Sequence, residues 1–416
     1  MKLIQVPRRF VADEWGGTET TILRTSHALM REGHDVRIFT SQALAKGIRD
    51  GPIEGVPVRR FPYCYPFFGL KPKDIAEMDA KGGNLLSLSL FRALWKEPGV
   101  DLMHAHSGKR LGAAVRSAAK LRGIPYVVTL HGGHYVVPKV EAERILEPIQ
   151  GKTEWGRLFG MLMGSRTVLE DADAVLCVGA DELAAASERL PNQRVELMPN
   201  GVDCDAFAQG DGAAFRAAYG IPPAKRIILC VSRIDYQKNQ LALVDALERL
   251  LPEHPDLQLV LVGPITIDAY LASLGKRMAE LEIAGQVTMV PGLRSDDPML
   301  KGAFHAAEVF CLPSQHEPFG IVILEAWAAG LPVVASRVGG IPSFTQDGVD
   351  VLHAQPNDID SLTAQLNRVL SDPALAKRLA KAGNQKARGE YDWKIVTRQL
   401  RRLYEELIEA KRSGCS

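Results

Sequence analysis

The sequence predicts an α/β protein built from two doubly wound parallel sheets. Three observations predict this fold class: the length of the chain, an ordinary globular composition, and two successive series of apolar strands that alternate with helices. The chain has 416 residues, of which 46% are hydrophobic and 24% are charged, and a chain of this length is typical of two or three domains. Apolar strands that alternate with helices are typical of parallel sheets covered on both faces.

The first series begins with a strand over residues 3–6, which a glycine pair separates from a helix and from a second strand over 36–39. Further strands of this series are predicted at 102–104, 126–129, 174–178 and 195–198. A loop-rich passage over 199–211 follows. We place the domain boundary in this passage, so the first Rossmann-like domain covers residues 1–200.

The second series defines a second Rossmann-like domain over residues 201–385. Its predicted strands lie at 227–231, 257–262, 287–290, 309–312 and 333–335, with a helix over 240–251 after the first of them. The remaining segment, 386–416, carries an apolar stripe at helical spacing. The stripe consists of Trp393, Val396, Leu400, Leu403 and Leu407. Such a stripe needs a surface to cover it, and either domain offers one.

Charge and composition exclude several classes of protein. The 50 Lys and Arg residues balance 49 Asp and Glu residues, whereas a dedicated nucleic-acid binder usually has a strong basic excess. No apolar run approaches the roughly 18–20 residues that span a bilayer, and the first apolar stretch, followed by Arg8 and Arg9, is too short for a signal peptide. The six cysteines are scattered, which argues against a disulfide framework or a zinc motif. We therefore expect a cytoplasmic protein.

Two loops of the first domain lie at the carboxyl ends of strands, where ligands of open parallel sheets bind next to helix N-termini. Gly16 and Gly17 let backbone amides approach an anion closely, with Thr18 as the expected helix cap. A plain turn is the alternative interpretation. His131 and Gly132 end another strand, and a structural histidine is the alternative there.

Two cations follow the first strand of the second domain. Arg233 and Lys238 lie between a buried strand and a helix. Arginine supplies a planar fork and lysine a point charge, and a diphosphate group uses both. A solvated surface pair is the alternative.

Two carboxylates, Glu317 and Glu325, form the most specific motif together with the amides of Phe319, Gly320 and Ile321. Glu317 lies in a loop, whereas Glu325 lies in an otherwise apolar helix. A carboxylate in such surroundings needs a hydrogen-bond partner, and a diol supplies one. A purely structural role is the alternative.

A metal site is not predicted. His104 and His106 can share one face of a strand, and His131 with His134 can join them. However, no cysteine or carboxylate stands at ligand spacing nearby. Histidines at strand ends also contact substrates or stabilise loops.

Taken together and in this order, these motifs resemble the retaining GT-B glycosyltransferases of glycosyltransferase family 4. The resemblance covers nearly the whole chain. It rests on residues 16–19, 130–132, 199–203, Arg233 with Lys238, residues 261–263 and residues 317–325. It implies an enzyme that transfers a sugar from a nucleoside-diphosphate sugar to an acceptor hydroxyl with retention, without a metal, in the synthesis of a polysaccharide, glycolipid or other glycoconjugate.

The resemblance also implies roles for individual residues. The second domain is expected to bind the donor, the first domain the acceptor, and the last helix is expected to cross back onto the first domain. The residues expected to bind the donor are Gly16, Gly17, Arg233, Lys238, Gly292, Leu293, Glu317, Phe319, Gly320, Ile321 and Glu325. Catalytic roles are expected for His131, Glu317, Arg233 and Lys238. The family commonly has a glutamate at the position of Ser343, which leaves one loop contact near the donor sugar in doubt.

The acceptor side is the least specific part of the pattern. Phe10, Trp15, His106, Lys109 and Arg110 are predicted to line it, with aromatic rings stacking on a sugar and cations meeting a phosphate or carboxylate. A basic and aromatic stretch over 67–96 fits peripheral contact with a membrane that carries a lipid-linked acceptor, and a solvated basic face is the alternative.

Two other functions remain as alternatives. A sugar-nucleotide-binding protein without transfer activity, or an epimerase, can have the same architecture. A nicotinamide oxidoreductase is disfavoured, because no Gly-x-Gly-x-x-Gly follows the first strand. The donor is expected to carry UDP, GDP or ADP.

Overall fold

The protein divides into two compact units in a computed structural model. Unit 1 comprises residues 1–200 together with 393–416, and unit 2 comprises residues 201–392. The structure describes residues 1–11, 16–45, 47, 50–132, 135, 147–294 and 296–414.

Unit 1 is built on an eight-stranded sheet. Its strands are β1 (Lys2–Val6), β2 (Asp35–Ser41), β3 (Gly51–Ile53), β4 (Val56–Phe61), β5 (Leu102–Ala105), β6 (Tyr126–Leu130), β7 (Ala174–Cys177) and β8 (Val195–Leu197), in the order β3-β4-β2-β1-β5-β6-β7-β8. All neighbouring strands are parallel except β3 and β4, which form an antiparallel pair. The residues of β5, β6 and β7 are all buried, as expected for strands covered on both faces.

The helices of unit 1 before the domain boundary follow the strands in sequence. They are α1 (Gly17–Arg31), α2 (Pro72–Lys81), α3 (Leu88–Lys96), α4 (Arg110–Arg122), α5 (Arg157–Leu162) and α6 (Ala180–Arg189), with a 3-10 turn at Glu147–Ile149. Within the described residues, no helix of the chain is both long and apolar enough to span a bilayer.

Unit 2 is built on a six-stranded parallel sheet. Its strands are β9 (Arg226–Val231), β10 (Leu257–Val262), β11 (Val287–Val290), β12 (Val309–Leu312), β13 (Val333–Ser336) and β14 (Leu352–Ala354), in the order β11-β10-β9-β12-β13-β14. Its helices are α7 (Cys204–Phe207), α8 (Gly212–Ala218), α9 (Gln240–Leu250), α10 (Asp268–Glu280), α11 (Pro298–Ala306), α12 (Ile321–Ala328), α13 (Ile341–Phe344), α14 (Ile359–Ser371) and α15 (Pro373–Lys386), with a 3-10 turn at Ala284–Gln286 and a π turn at Ala387–Tyr391.

The last helix, α16 (Trp393–Arg412), packs onto unit 1. The apolar stripe predicted from the sequence is buried there, in one cluster with residues of β1, β2, β5 and β7. The chain enters and leaves unit 2 at neighbouring points. There the amide of Val202, near the entry, donates to the carbonyl of Tyr391, near the exit, at 2.8 Å. A helix with one apolar face thus completes the cover of the first sheet.

In both sheets the strand order reverses at the first strand of the unit. In unit 1 the chain runs outward from β1 to β2 and β4, then returns to the other side of β1 with β5. In unit 2 it runs from β9 to β10 and β11 and returns beside β9 with β12. Two neighbouring loops diverge at such a switch point and leave a crevice at the carboxyl edge of the sheet, where ligands bind.

The core of unit 2 fixes the helix that follows β12. Trp327 on α12 is fully buried, and its indole N–H donates to the carbonyl of Asp350 at 2.9 Å. Gly383 on α15 lies directly against the indole, and a Cβ atom at this position would be far inside van der Waals contact with the ring. The absence of a side chain at Gly383 therefore allows α15 to approach α12 closely.

We expect Gly383→Ala to lower the free energy of unfolding by about 1–3 kcal/mol, because the added methyl group must displace a fully packed indole. Gly275→Ala is the matched control, since it lies in the middle of α10 with open space at the Cβ position. It should raise stability by about 0.5–1 kcal/mol through helix propensity. Urea denaturation of both variants tests this, and equal shifts of the two midpoints would contradict it.

Candidate functional site

The loop after β9 is held rigidly at the carboxyl edge of the second sheet. Gln240, the first residue of α9, is buried, and its side-chain amide donates to the Ser232 hydroxyl at 2.9 Å and to the Arg233 carbonyl at 2.7 Å. Gly263 after β10 leaves no room for a Cβ atom against the carbonyl of Ser232. Asp235 is buried and accepts from the backbone amide of Lys238 at 3.1 Å. The positions of both predicted cations are therefore set by buried polar contacts.

The loop after β12 meets this loop at the switch point. Gln237 accepts from the amide of Gln315 through its backbone carbonyl at 2.8 Å, and its side chain donates to the carbonyl of His316 at 3.2 Å. The Nζ atom of Lys238 lies 2.6 Å from the Oε2 atom of Glu317. The two side chains retain only 12% and 10% of their exposure. Two residues 79 positions apart thus form a nearly buried ion pair.

Backbone packing holds Glu317 from the other side. The amide of Gly340 donates to the carbonyl of Glu317 at 2.9 Å. Gly339 has φ +51°, and a Cβ atom at this position would clash with that carbonyl. The glycine pair after β13 therefore supports the loop that carries Glu317. The hydroxyl of Ser343 donates to the carbonyl of Gly340 at 2.6 Å.

Helix α12 begins next to the ion pair. Gly320 precedes it with φ +94°, in the left-handed region that favours glycine, and no side chain caps the helix. The ring of Phe319 is buried and stacks on Phe344 at 4.6 Å between ring centres, so Phe319 can offer a ligand only its backbone. Glu325 lies one turn into α12 and is half-buried.

Arg233 stands at the exposed side of the same loop. Its side chain retains 51% of its exposure, pairs with Asp235 at 3.3 Å and donates to the side-chain carbonyl of Gln237 at 3.0 Å. Gly292, after β11, packs against Pro264, and Leu293 packs against the core while it remains partly exposed. Five of the six strands of unit 2 thus contribute loops to one edge.

In unit 1, His131 is part of a chain of polar contacts. Its Nε2 atom lies 2.8 Å from Nδ1 of His106, and Nε2 of His106 lies 2.8 Å from the side-chain oxygen of Gln5. The amide group of Gln5 donates to the Tyr404 hydroxyl at 3.4 Å, and that hydroxyl lies 2.6 Å from Nδ1 of His104. The last helix of the chain, through Tyr404, is therefore connected to the loop residue His131.

This network assigns a tautomer to His106 and to His131. Because the Gln5 oxygen accepts, His106 carries its proton on Nε2 and accepts through Nδ1, so His131 donates from Nε2 and keeps a lone pair on Nδ1. Burial lowers the pKa of His131 to about 4. Burial and the charge of His131 lower the pKa of His104 to about 3, and burial with the charges of both other histidines holds the pKa of His106 well below its usual value. All three imidazoles are therefore neutral at pH 7.

The structure separates the residues that were predicted for the acceptor side. The ring of Phe10 is fully buried in an apolar cluster between α1 and the sheet, so it is not available to a ligand. Arg110 turns away from the switch point and pairs with Glu154 and the carbonyl of Asn84. Lys109 and His106 both line one pocket at the carboxyl end of β5. Trp15 lies outside the described residues.

The glycine pair lies at the start of α1, but the cap differs from the prediction. Gly16, not Thr18, is the N-cap residue, and Gly17 is the first residue of the helix. The amide of Gly16 donates to the carboxylate of Glu19 at 3.1 Å, and this carboxylate pairs with Arg9 at 3.3 Å. Glu19 thus fills the capping role, because a carboxylate at the third helical position reaches back to the cap amide.

Within the described parts of the chain, no three His, Cys, Asp or Glu side chains are grouped in a way that fits a metal ion. His104 and His106 lie close together, with 4.3 Å between ring centres. Both ring nitrogens of each are engaged by Gln5, Tyr404, Thr129 or His131.

Sequence reasoning missed two kinds of residue. Asp235, Gln237 and Gln240 position the cations rather than present charge themselves, and only the folded loops reveal this. Arg8 was also missed as a site residue, although it stands two positions after β1, as Arg233 stands two positions after β9. A cation just after the first strand of a unit is the feature that singles out Arg233, and it also singles out Arg8.

Two protein families match the chain. The family described as "Glycosyl transferase 4-like domain" matches residues 16–201, and the family described as "Glycosyl transferases group 1" matches residues 211–386. The chain is 31% identical over 377 residues to a D-inositol 3-phosphate glycosyltransferase of Mycolicibacterium gilvum, over 88% of this chain and 80% of that protein. It is 30% identical over 324 residues to a glycogen synthase of Mycobacterium tuberculosis, over 75% of this chain and 69% of that protein.

Solved structures share the fold over nearly the whole length. Anabaena HepE in complex with UDP superposes with a TM-score of 0.73 at 19% identity, over 98% of this chain and 100% of that chain. Sucrose-phosphate synthase from Thermosynechococcus elongatus superposes with a TM-score of 0.72 at 23% identity, over 99% of this chain and 100% of that chain.

The three neutral histidines of this network predict that the protein loses stability in acid. At pH values below their ordinary pKa of about 6.5, the histidines of the unfolded chain bind protons, whereas those of the folded network stay neutral. The free energy of unfolding therefore falls with falling pH, by about 2 kcal/mol per histidine between pH 6.5 and 5. Urea unfolding at a series of pH values measures this. His131→Asn should reduce the slope by one histidine, with His316→Asn as the control outside the network. An unchanged slope in His131→Asn would contradict the assignment.

Proposed function

The chain belongs to the group 1 glycosyltransferase family and has the GT-B fold, and from that premise we propose that it transfers a sugar from a nucleoside-diphosphate sugar to an acceptor hydroxyl with retention of the anomeric configuration. The observation that carries this proposal is the Lys238–Glu317 pair at the switch point of unit 2, beside the uncapped start of α12. Solved relatives of this fold include a protein in complex with UDP.

Unit 2 binds the donor in this proposal. Arg233 and Lys238 hold the diphosphate, together with the amides of Phe319, Gly320 and Ile321 at the positive end of α12. Glu325 accepts hydrogen bonds from the ribose hydroxyls. Gly292 and Leu293 border the base. From unit 1, Gly16 and Gly17 meet the donor phosphates, and His131 holds the transferred sugar.

In this proposal, Lys238 has a different partner in the empty and the donor-bound states of the site. Without donor, the charge of Lys238 is compensated by Glu317 at 2.6 Å. An incoming diphosphate competes for the ammonium group, which frees lone pairs of the carboxylate to accept from sugar hydroxyls. Binding of phosphate and binding of sugar are therefore coupled through one contact.

Catalysis follows from the charge that develops during transfer. As the bond between the anomeric carbon and the phosphate oxygen breaks, its electron pair moves to the diphosphate and the sugar becomes positive. Arg233 and Lys238 stabilise the leaving diphosphate as its charge grows. These two cations supply the positive charge that a divalent metal supplies elsewhere, so we propose that transfer needs no metal.

In this proposal the configuration is retained because the acceptor attacks the sugar from the same face that the diphosphate leaves. The acceptor oxygen bonds to the anomeric carbon, and its proton passes to the departing phosphate oxygen. The rival is a double displacement with Glu317 as the nucleophile. The contact of Glu317 with the Ser314 hydroxyl at 3.4 Å favours the first route, because a carboxylate that accepts a hydrogen bond is a weaker nucleophile.

The acceptor belongs to unit 1 in this proposal, and the place of action is the cytoplasm, in the synthesis of a polysaccharide, glycolipid or other glycoconjugate. The curated relatives act, by their names, on an inositol phosphate and in glycogen synthesis, so the acceptor class differs within the family. Peripheral contact with a membrane remains a prediction from the 67–96 stretch.

Calorimetric titration of the full chain with UDP, GDP and ADP, in the presence of a chelator, tests the donor site. We expect one nucleotide to bind, and Arg233→Ala and Lys238→Ala each to weaken it about tenfold or more, because each removes a charge-assisted hydrogen bond. Lys276→Ala, an exposed cation on α10, is the control. Binding of none of the three, with no hydrolysis of the matching nucleotide sugars, would contradict the proposal.

The stereochemistry is read from the slow transfer to water. We expect early proton NMR spectra of the released sugar to show the anomer of the donor, and mass spectra of the protein mixed with donor to show no sugar attached to Glu317. Glu317→Gln should lower the rate at least about a hundredfold, since the charge of the carboxylate faces the developing positive sugar. Release of the opposite anomer would contradict retention, and a sugar on Glu317 would establish the double displacement instead.

A further inference from the structure

A pocket of about 150 Å³ opens at the switch point of unit 1. It lies at the carboxyl ends of β1 and β5. The polar residues that line it are Arg8, Asn84, His106, Ser107 and Lys109. Its volume is about five times the share of one water molecule in the liquid, which is enough for a phosphate group and part of the molecule that carries it.

Two positively charged side chains, Arg8 and Lys109, line this pocket. Arg8 donates to the carbonyls of Met78 at 3.4 Å and Asp79 at 2.8 Å. In the described part of the chain no acidic side chain lies within ion-pair distance of Arg8 or Lys109, and none lines the pocket. The carboxylate of Asp79 accepts instead from Tyr63 at 2.5 Å and Tyr65 at 2.8 Å.

The electrostatic cost of placing a second cation beside Arg8 is visible at Lys109. Burial lowers the pKa of Arg8, and the nearby carboxylates of Asp79 and Glu19 oppose this shift. Burial lowers the pKa of Lys109 as well, and the charge of Arg8 lowers it further. An anion that enters the pocket removes this repulsion, so the folded chain itself favours an anionic ligand there.

The pocket also receives the start of a long helix. Helix α4 has 13 residues, the side chain of its N-cap residue Lys109 does not cap it, and its first turn carries no acidic residue. The amide of Arg110 is already taken by Asn84 at 3.0 Å, while Leu111 lines the pocket. The positive end of the helix dipole thus adds to the two cations.

We propose that this pocket binds the phosphate group of the acceptor, so that the acceptor is a phosphorylated polyol or sugar. Arg8 and Lys109 hold the phosphate oxygens, and the Ser107 hydroxyl donates a further hydrogen bond. The neutral His106 at the wall adds no charge, and Arg110 takes no part because it pairs with Glu154. The proposal rests on the proposed transferase function, of which it specifies the acceptor.

The site is distinct from the donor site by residue and by unit. The donor diphosphate is assigned to Arg233 and Lys238 of unit 2. A substitution in one pair of cations should therefore affect binding at one site and leave the other site unchanged.

The experiment is calorimetric titration of the full chain, saturated with whichever nucleotide binds, with matched probes. These are a hexose phosphate with its hexose, glycerol phosphate with glycerol, inositol phosphate with inositol, and inorganic phosphate. We expect at least one phosphorylated probe to bind at least tenfold tighter than its neutral partner and tighter than inorganic phosphate. Lys109→Gln should weaken that probe about tenfold or more and leave nucleotide binding unchanged.

Arg8 supports the C-terminal end of α2 as well as the pocket, so Arg8→Lys, which keeps the charge, is used in place of alanine. It should weaken the phosphorylated probe less than Lys109→Gln does. Arg92→Gln, an exposed cation on α3 outside the pocket lining, is the control and should change neither affinity. Thermal melting confirms that each variant is folded.

Three outcomes would overturn the proposal: phosphorylated probes that bind no tighter than their neutral partners, inorganic phosphate that binds as tightly as all of them, or a Lys109→Gln variant with unchanged affinity. If Lys109→Gln weakened the nucleotide as well, the pocket would belong to the donor. If no nucleotide bound to the wild-type chain while a phosphorylated probe did, the donor assignment would fail and this site would stand.

Discussion

The reversal of strand order at β9 and β12 is the constraint on which the second unit depends. Parallel strands require crossover helices, and once the chain has run outward through β10 and β11 it must return to the free edge of β9. That return places the loop with Lys238 against the loop with Glu317, and the hydrogen bonds of Gln237 fix the distance. The nearly buried ion pair is thus a product of topology, and the proposed diphosphate site is built around it.

The same reversal of strand order brings different residues together in the first unit. Its reversal at β1 and β5 brings Arg8 beside Lys109 and His106, and among the described residues no carboxylate lies within ion-pair distance of either cation. Below this edge the contacts from His131 to Tyr404 connect the site loops to the last helix. Because α16 covers the sheet and closes this network, the segment that returns from unit 2 supports both the core of unit 1 and the orientation of a residue at its edge.

The architecture could be predicted almost completely from the sequence. The strands of β1, β9 to β13 and the helix α9 lie within one or two residues of their predicted bounds, since continuous apolar runs between turn residues admit few alternatives. The short strands β3, β4 and β14 and the helices α2 and α3 were not predicted individually. Edge strands such as β3 bury little apolar surface, so their periodicity is weak.

The sequence by itself determined the fold class, the family and the loops that carry charge, because local patterns of a few to a dozen residues indicate each of these. Only the tertiary structure decided which charges are available. It buried Phe10, paired Arg110 with Glu154 and gave Lys238 a partner in Glu317. It also placed Arg8 and Lys109 in the lining of a pocket, with no acidic partner for either among the described residues. These outcomes depend on contacts between residues far apart in the chain, and such contacts leave no pattern in a single sequence.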